Sequence, residues 1–279
     1  MTKSKSTRNE SSSAVSVPYK LGVAFSGGGA RGFAHVGALL AIEEAGLKPD
    51  AVAGVSAGSV IAVMYAAGVP PLKIADFFAR TGFRDFAELG LGSGGIFSIH
   101  KFMNFVLKAI GDKKNIEDLN IPTFIGATDL DNAAPHVFSE GPIGPRMLAS
   151  CSIPIMFSPI VINGVHYVDG GVLRNLPAWI LRDKCETLIG VNCSPLSTKS
   201  EYKSIISVAL RTYNLMAKAN QSEDMAMCDI SVETPEIAGY APFNLKNIKE
   251  LVLSGYMHTR KALKDAGLWK TGDKTPKKE

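Results

Sequence analysis

The pentapeptide Gly54-Val55-Ser56-Ala57-Gly58 sets a serine between two glycines, the pattern of a turn that exposes a nucleophilic hydroxyl. It lies between an apolar run, Ala51–Val55, and a segment of helical character, Ala57–Ala67. A sharp strand-to-helix turn there would lift the Ser56 hydroxyl off the end of a sheet, and the glycines remove side chains that would collide. Free N–H groups at the helix N-terminus favour negative charge developing beside that oxygen. The same residues would also suit an ordinary strand–helix turn in which Ser56 is merely an N-cap. Acyl transfer is the chemistry to which the pattern points.

A second glycine cluster, Ser26-Gly27-Gly28-Gly29-Ala30-Arg31-Gly32, follows the apolar run Leu21–Ser26. Gly27, Gly29 and Gly32 formally satisfy a dinucleotide fingerprint, and Asp50 lies about 20 residues further on. A ribose-binding carboxylate belongs at the C-terminal end of the second strand, however, whereas Asp50 precedes Ala51–Val55. The geometry therefore disfavours a nicotinamide cofactor. Successive glycines also let backbone N–H groups converge, which suits an oxyanion hole built from Gly27, Gly28 and Gly29. Arg31 would add positive charge there or form a structural ion pair. Asp169-Gly170-Gly171 follows a third apolar run, Val161–Val168. Alone it reads as a turn; in the company of Ser56 and the glycine loop it gains a catalytic reading.

The elements that must position these residues alternate. Leu21–Ser26 and Ala51–Val55 read as buried strands, each followed by a glycine turn and a helix, Phe33–Ala45 and Ala57–Ala67. Helical patterns also cover Ile74–Arg80, Ile99–Ile110 and Leu245–Ala266. Thr123–Thr128, Val161–Val168 and Thr187–Asn192 read as further strands. This βαβα rhythm predicts one α/β domain, three layers deep, with a mostly parallel central sheet. The glycines of Gly90–Gly95 suggest a mobile loop. The apolar helix beside it, with Phe97, Phe102, Met103 and Phe105, reads as core packing, with a lid or membrane-contacting element as the alternative.

In this order the motifs resemble the patatin-like phospholipase family, with Ala149-Ser150-Cys151-Ser152-Ile153-Pro154 as a further matching element. The resemblance implies a modified α/β-hydrolase-like fold and a serine–aspartate dyad that cleaves lipid acyl esters without histidine. It implies Ser56 as nucleophile, Asp169 as base, and the amides of Gly28, Gly29 and Ala57 as oxyanion donors, with Arg31 biasing their field. An acyltransferase with the same dyad, or a non-catalytic regulatory protein on the same fold, are the alternatives. A Ser-His-Asp triad is the internal rival. Of His35, His100, His136, His166 and His258, only His258 follows Asp169 as the usual chain order demands, and it sits in an apolar-periodic helix.

The chain has 279 residues, 46% of them hydrophobic, enough for a single sizeable core. Residues 1–18 and 270–279 read as tails around a catalytic domain at 19–269. The N-terminal stretch lacks the apolar core of a secretory signal, and no run reaches the length of a membrane span. A net charge of +4 with no basic, aromatic-interleaved stripe argues against nucleic-acid binding. The four cysteines show no metal or redox spacing, which predicts reduced thiols in a cytoplasmic protein. Asp129-Leu130-Asp131-Asn132 lacks the glycine and glutamate of a calcium loop and reads as a turn. No metal or other cofactor is expected. The expected partner is a lipid or acyl-ester substrate, met in transient contact with a membrane surface.

Overall fold

The computed structural model describes residues 17–79, 88–89, 95–198, 201–241 and 244–269. The expected tails, apart from residues 17–18, and nearly all of Gly90–Gly95 lie outside the described residues.

The strands are β1 (Tyr19–Phe25), β2 (Ala51–Val55), β3 (Glu88–Leu89), β4 (Gly95–Ser98), β5 (Thr123–Asp129) and β6 (Ala134–Phe138). They continue with β7 (Ile155–Phe157), β8 (Ile160–Ile162), β9 (Val165–Asp169), β10 (Cys185–Asn192) and β11 (Ile230–Glu233). The α-helices are α1 (Phe33–Glu44), α2 (Ala57–Ala66), α3 (Pro71–Ala79), α4 (His100–Ala109) and α5 (Ile143–Cys151). After these come α6 (Ala178–Leu181), α7 (Ile205–Ala219), α8 (Gln221–Ala226) and α9 (Ile248–Asp265).

The main sheet runs β11-β10-β1-β2-β5-β9-β8, with β6 also paired to β5. From β11 to β5 every pairing is parallel; β6, β9 and β8 add antiparallel pairings at one side. Central parallel strands are covered on both faces, so β1 and β2 are apolar almost throughout instead of alternating. Their side chains still divide by the two-residue period of a strand. Val23, Phe25, Val52 and Ile125 join the large core under α1, α2 and α9. Ala24, Ala51, Ala53 and Leu188 face a smaller core completed by Leu176, Ile180 and Leu181 around α6. The three layers are thus uneven, with small alanines on the face that only short helices cover.

The run Val161–Val168 is not one strand but the hairpin β8–β9, broken at Asn163-Gly164, where φ is +51° and +84°. Paired positive φ values are the signature of the tight Asn-Gly hairpin turn, a signal that the apolar flanks conceal. The C-terminal pattern begins as a 3₁₀ turn at Leu245–Asn247 before α9. Helix α7 has no counterpart in the sequence expectations. A small separate sheet, β3-β4-β7, lies outside the main one.

Candidate active site

Ser56 sits at the turn between β2 and α2, with φ +52° and ψ −125°. A non-glycine residue in that region costs on the order of 1–3 kcal/mol and persists only where its surroundings impose it. Here Gly54 and Gly58 pack so closely that a side chain on either would collide with backbone, of Gly58 and Ser59 in one case and of Phe25 and Ser26 in the other. The carbonyl of Ser56 accepts from the Ser59 amide at 2.9 Å and its hydroxyl at 2.6 Å, while the Ser56 amide donates to Ser150 Oγ at 2.8 Å. Ser150 Oγ in turn donates to Gly126 O at 2.7 Å, which ties the elbow to β5.

Asp169 ends β9. The registers Val55↔Gly126 and Ala127↔Asp169 set β2 and β9 end to end along one edge of β5, with β6 on the other edge, so Asp169 comes directly beside Ser56. Its amide donates to Ser152 O at 2.9 Å, so the short segment Ser150–Ser152 holds both ends of the candidate dyad. The carboxylate is fully buried. Its Oδ1 accepts from the Gly171 amide at 2.8 Å and from the Tyr213 hydroxyl at 2.9 Å. Oδ2 has no hydrogen bond of regular geometry among the described residues, and the Ser56 hydroxyl is a neighbour that favours the carboxylate form. Burial outweighs these donors and pushes the Asp169 carboxyl up to about 6.

The glycine loop begins one residue past the end of β1. The Gly27 amide donates to Asn175 O at 3.2 Å, so it is engaged, and the expectation that Gly27 supplies an oxyanion donor is corrected accordingly. The amides of Gly28, Gly29 and Ala57 form no hydrogen bond among the described residues. Gly28 and Gly29 line a cavity of about 380 Å³ together with Ser56, Arg31 and Tyr213. Arg31 is buried; its Nε donates to Gly28 O at 3.3 Å and Nη1 to Pro195 O at 3.0 Å. Burial lowers its pKa, but a guanidinium starts so high that it stays charged. The ion-pair reading of Arg31 is thus replaced by a clamp on two carbonyls.

No histidine lines this cavity among the described residues. His35 is buried behind the glycine loop, with Nε2 2.8 Å from Ser26 O and 3.2 Å from Cys193 Sγ, and burial brings its pKa down to about 4. His258 pairs with Glu236 at 2.9 Å and His166 with Asp131 at 3.1 Å. His136 packs edge-on against Phe138 and tilted against Tyr167, and His100 begins α4. The Asp129 loop is a turn, its carboxylate accepting from the Asn132 amide and side chain at 2.9 Å each. No cluster of three His, Cys, Asp or Glu able to hold a metal ion occurs among the described residues. Likewise no described helix is long and apolar enough to cross a membrane.

Two residues important to this geometry had no sequence signal of their own: Tyr213 reaches Asp169 from α7, and Asn175 joins the glycine loop to the aspartate loop. Ser150, marked only as part of Ala149–Pro154, anchors the elbow.

The sequence matches the family model described as patatin-like phospholipase over residues 23–182, a span containing Ser56, Asp169 and the glycine loop. It is 34% identical over 162 residues to the lysophospholipase nte1 of Aspergillus fumigatus, covering 56% of this chain and 11% of that protein. It is 32% identical over 182 residues to a patatin-like phospholipase domain-containing protein of Caenorhabditis elegans, covering 62% of this chain and 13% of that one. The chain thus spans roughly a tenth of the length of these curated relatives. Among solved structures it resembles VipD from Legionella pneumophila, with a TM-score of 0.52 at 14% identity over 89% of this chain and 67% of that one, a likeness of fold.

Proposed function

The chain belongs to the patatin-like phospholipase family, and from that premise we propose that it is a serine hydrolase of lipid acyl esters working through a Ser56–Asp169 dyad. The observation that carries this reading is the strained Ser56 lining the cavity, beside a buried aspartate whose Oδ1 is already held by Tyr213 and Gly171. That division of labour leaves Oδ2 to act as base.

In this mechanism Ser56 Oγ attacks the ester carbonyl carbon while its proton passes to Asp169 Oδ2. A carboxyl near pH 6 is a far better proton acceptor than an exposed aspartate, and burial supplies that change. The carbonyl oxygen becomes an oxyanion held by the Gly28 and Gly29 amides, aided by Ala57 at the start of α2. The tetrahedral species collapses, the C–O bond to the alcohol breaks, and Asp169 returns its proton to the departing alkoxide. Water then attacks the acyl-serine, giving up a proton to Asp169, and the carboxylic acid leaves as Ser56 is re-protonated. Arg31 fixes the carbonyls of Gly28 and Pro195 so that the loop's amides stay turned towards the oxyanion.

The catalytic unit in this reading is residues 19–269. Its substrate is a lipid ester met at a membrane surface, and its free thiols, Cys151, Cys185, Cys193 and Cys228, suit a cytoplasmic setting. Hydrolysis of p-nitrophenyl esters by the wild type, Ser56→Ala, Asp169→Asn and each His→Ala variant tests the dyad. Loss in the first two and retention in every folded histidine variant is expected. Collapse in a single folded histidine variant would replace the dyad with a triad.

A further inference from the structure

Helix α7 has two faces with different business. Its inner face carries Leu210, Tyr213 and Ala217 into the wall of the cavity, and Tyr213 holds Asp169. Its outer face is apolar and bare. Ile205 is 86% exposed, Val208 49% and Leu215 49%, and Met216 adjoins them. These positions, with Thr212, repeat at three and four residues, so they form one stripe along the helix. Such a run of large aliphatic side chains in water marks a binding face.

The charges of the helix say what binds there. Between Ile205 and Ala219 the sequence has Arg211 and Lys218 and no acidic residue. Seven residues apart, the two cations lie on the same flank of the helix. Arg211 lines the cavity, with Nη1 donating to Ser197 O at 2.9 Å, so the cationic flank is the one that borders the cavity. Apolar stripe and cationic flank together are the pattern of a helix lying in the headgroup region of an anionic bilayer. A second copy of the chain is a poorer fit. One stripe on a helix about 22 Å long offers a strip of roughly 220 Å², well below the ~800 Å² that each partner of a stable pair contributes.

We propose that the outer face of α7 (Ile205, Val208, Leu215, flanked by Arg211 and Lys218) docks the protein on an anionic lipid surface, with the mouth of the cavity beside the point of contact. The proposal rests on the reading of that cavity as an acyl-ester site. Docking at this face would present lipid at Gly28, Gly29 and Ser56 without its first crossing open water. It also moves the membrane-contacting role from the segment at 97–107, which is the end of β4 and most of α4 with Met103 and Val106 buried in the core, to α7.

The test separates binding from turnover. Ser56→Ala protein is floated with vesicles of phosphatidylcholine alone or mixed with phosphatidylglycerol, beside the same protein carrying Val208→Glu and Leu215→Glu. Flotation with the mixed vesicles, much weaker flotation with phosphatidylcholine, and a loss of at least ~10-fold in the double variant are expected. With Ser56 restored, the double variant should hydrolyse a soluble p-nitrophenyl ester at the wild-type rate. Failure of the Ser56→Ala protein to bind mixed vesicles, or equal binding by the double variant, would overturn the proposal. So would a solution dimer, seen by sedimentation, that the double variant dissociates without any vesicle binding. A wild type inert towards soluble esters would instead count against the catalytic reading, since flotation does not depend on turnover.

Discussion

The Tyr213 hydroxyl donates to Asp169 Oδ1 at 2.9 Å, joining residues 44 positions apart in the chain across the boundary between α7 and the end of β9. Asp169 is fully buried and Tyr213 half-buried at the cavity wall, and in the proposed dyad this bond fixes which carboxylate oxygen is left for Ser56. Hydrogen bonds to a charged group contribute about 1.5–3 kcal/mol, and one pH unit corresponds to about 1.4 kcal/mol. Tyr213→Phe should therefore move the acid limb of the kcat/KM profile upward by about one pH unit or more. The rate falls most below pH 7 and partly recovers at pH 8, with KM little changed. A uniform loss at all pH values would assign Tyr213 a packing role alone.

Asp169 also links activity to stability, in opposite senses. Its carboxyl ionises near 3.8 when unperturbed and near 6 in the folded protein, because burial disfavours the charge. Between those values the folded state binds more protons than the unfolded one, so stability falls as pH rises through the window. The cost is absent below about pH 4 and complete above about pH 6. Asp169→Asn should abolish ester hydrolysis yet unfold later than wild type at pH 8, by about 1–3 kcal/mol, with the gain vanishing towards pH 4. Thermal melts of both proteins across that range check it; a variant destabilised at pH 8 would contradict it.

Ser150 stands between the Ser56 amide, 2.8 Å away, and the Gly126 carbonyl, 2.7 Å away. Ser150→Ala leaves a buried donor and a buried acceptor without partners, at about 1–3 kcal/mol each. A loss of about 2–4 kcal/mol in stability is expected by urea denaturation, together with a fall in kcat as the elbow relaxes. A variant as stable as wild type would deny Ser150 this anchoring role.

Arg31 holds the glycine loop from behind through Gly28 O and Pro195 O. Arg31→Ala should lower kcat by about 10–100-fold through misdirected amides, with a smaller change in KM. Steady-state kinetics on a soluble ester decide; unchanged kcat would show that the loop holds its shape without the clamp.

What the sequence made legible was local. Ser56 and the Gly27–Gly29 cluster each sit at a strand end beside a helix start, where a few neighbouring residues dictate the backbone. Asp169 was marked only by its glycines and by the company of the other two. What stayed hidden depends on partners distant in the chain. The Gly27 amide looks free until Asn175, 148 residues away, arrives to accept it. Helix α7 escaped notice because most of its large aliphatic residues face outward and only Ala217 among its fifteen is buried. The usual link between apolar spacing and core is inverted there. The hairpin at Asn163-Gly164 hid inside a run of apolar residues long enough to pass for one strand.

The central claim is that the Ser56 hydroxyl forms a covalent acyl-enzyme. Labelling the wild type and Ser56→Ala with a fluorophosphonate, followed by intact mass and peptide mapping, addresses it most directly. One adduct per chain on the peptide containing Ser56, absent from Ser56→Ala and slowed in Asp169→Asn, is the predicted result. A label on any other residue, or equal labelling and ester turnover in Ser56→Ala, would contradict it.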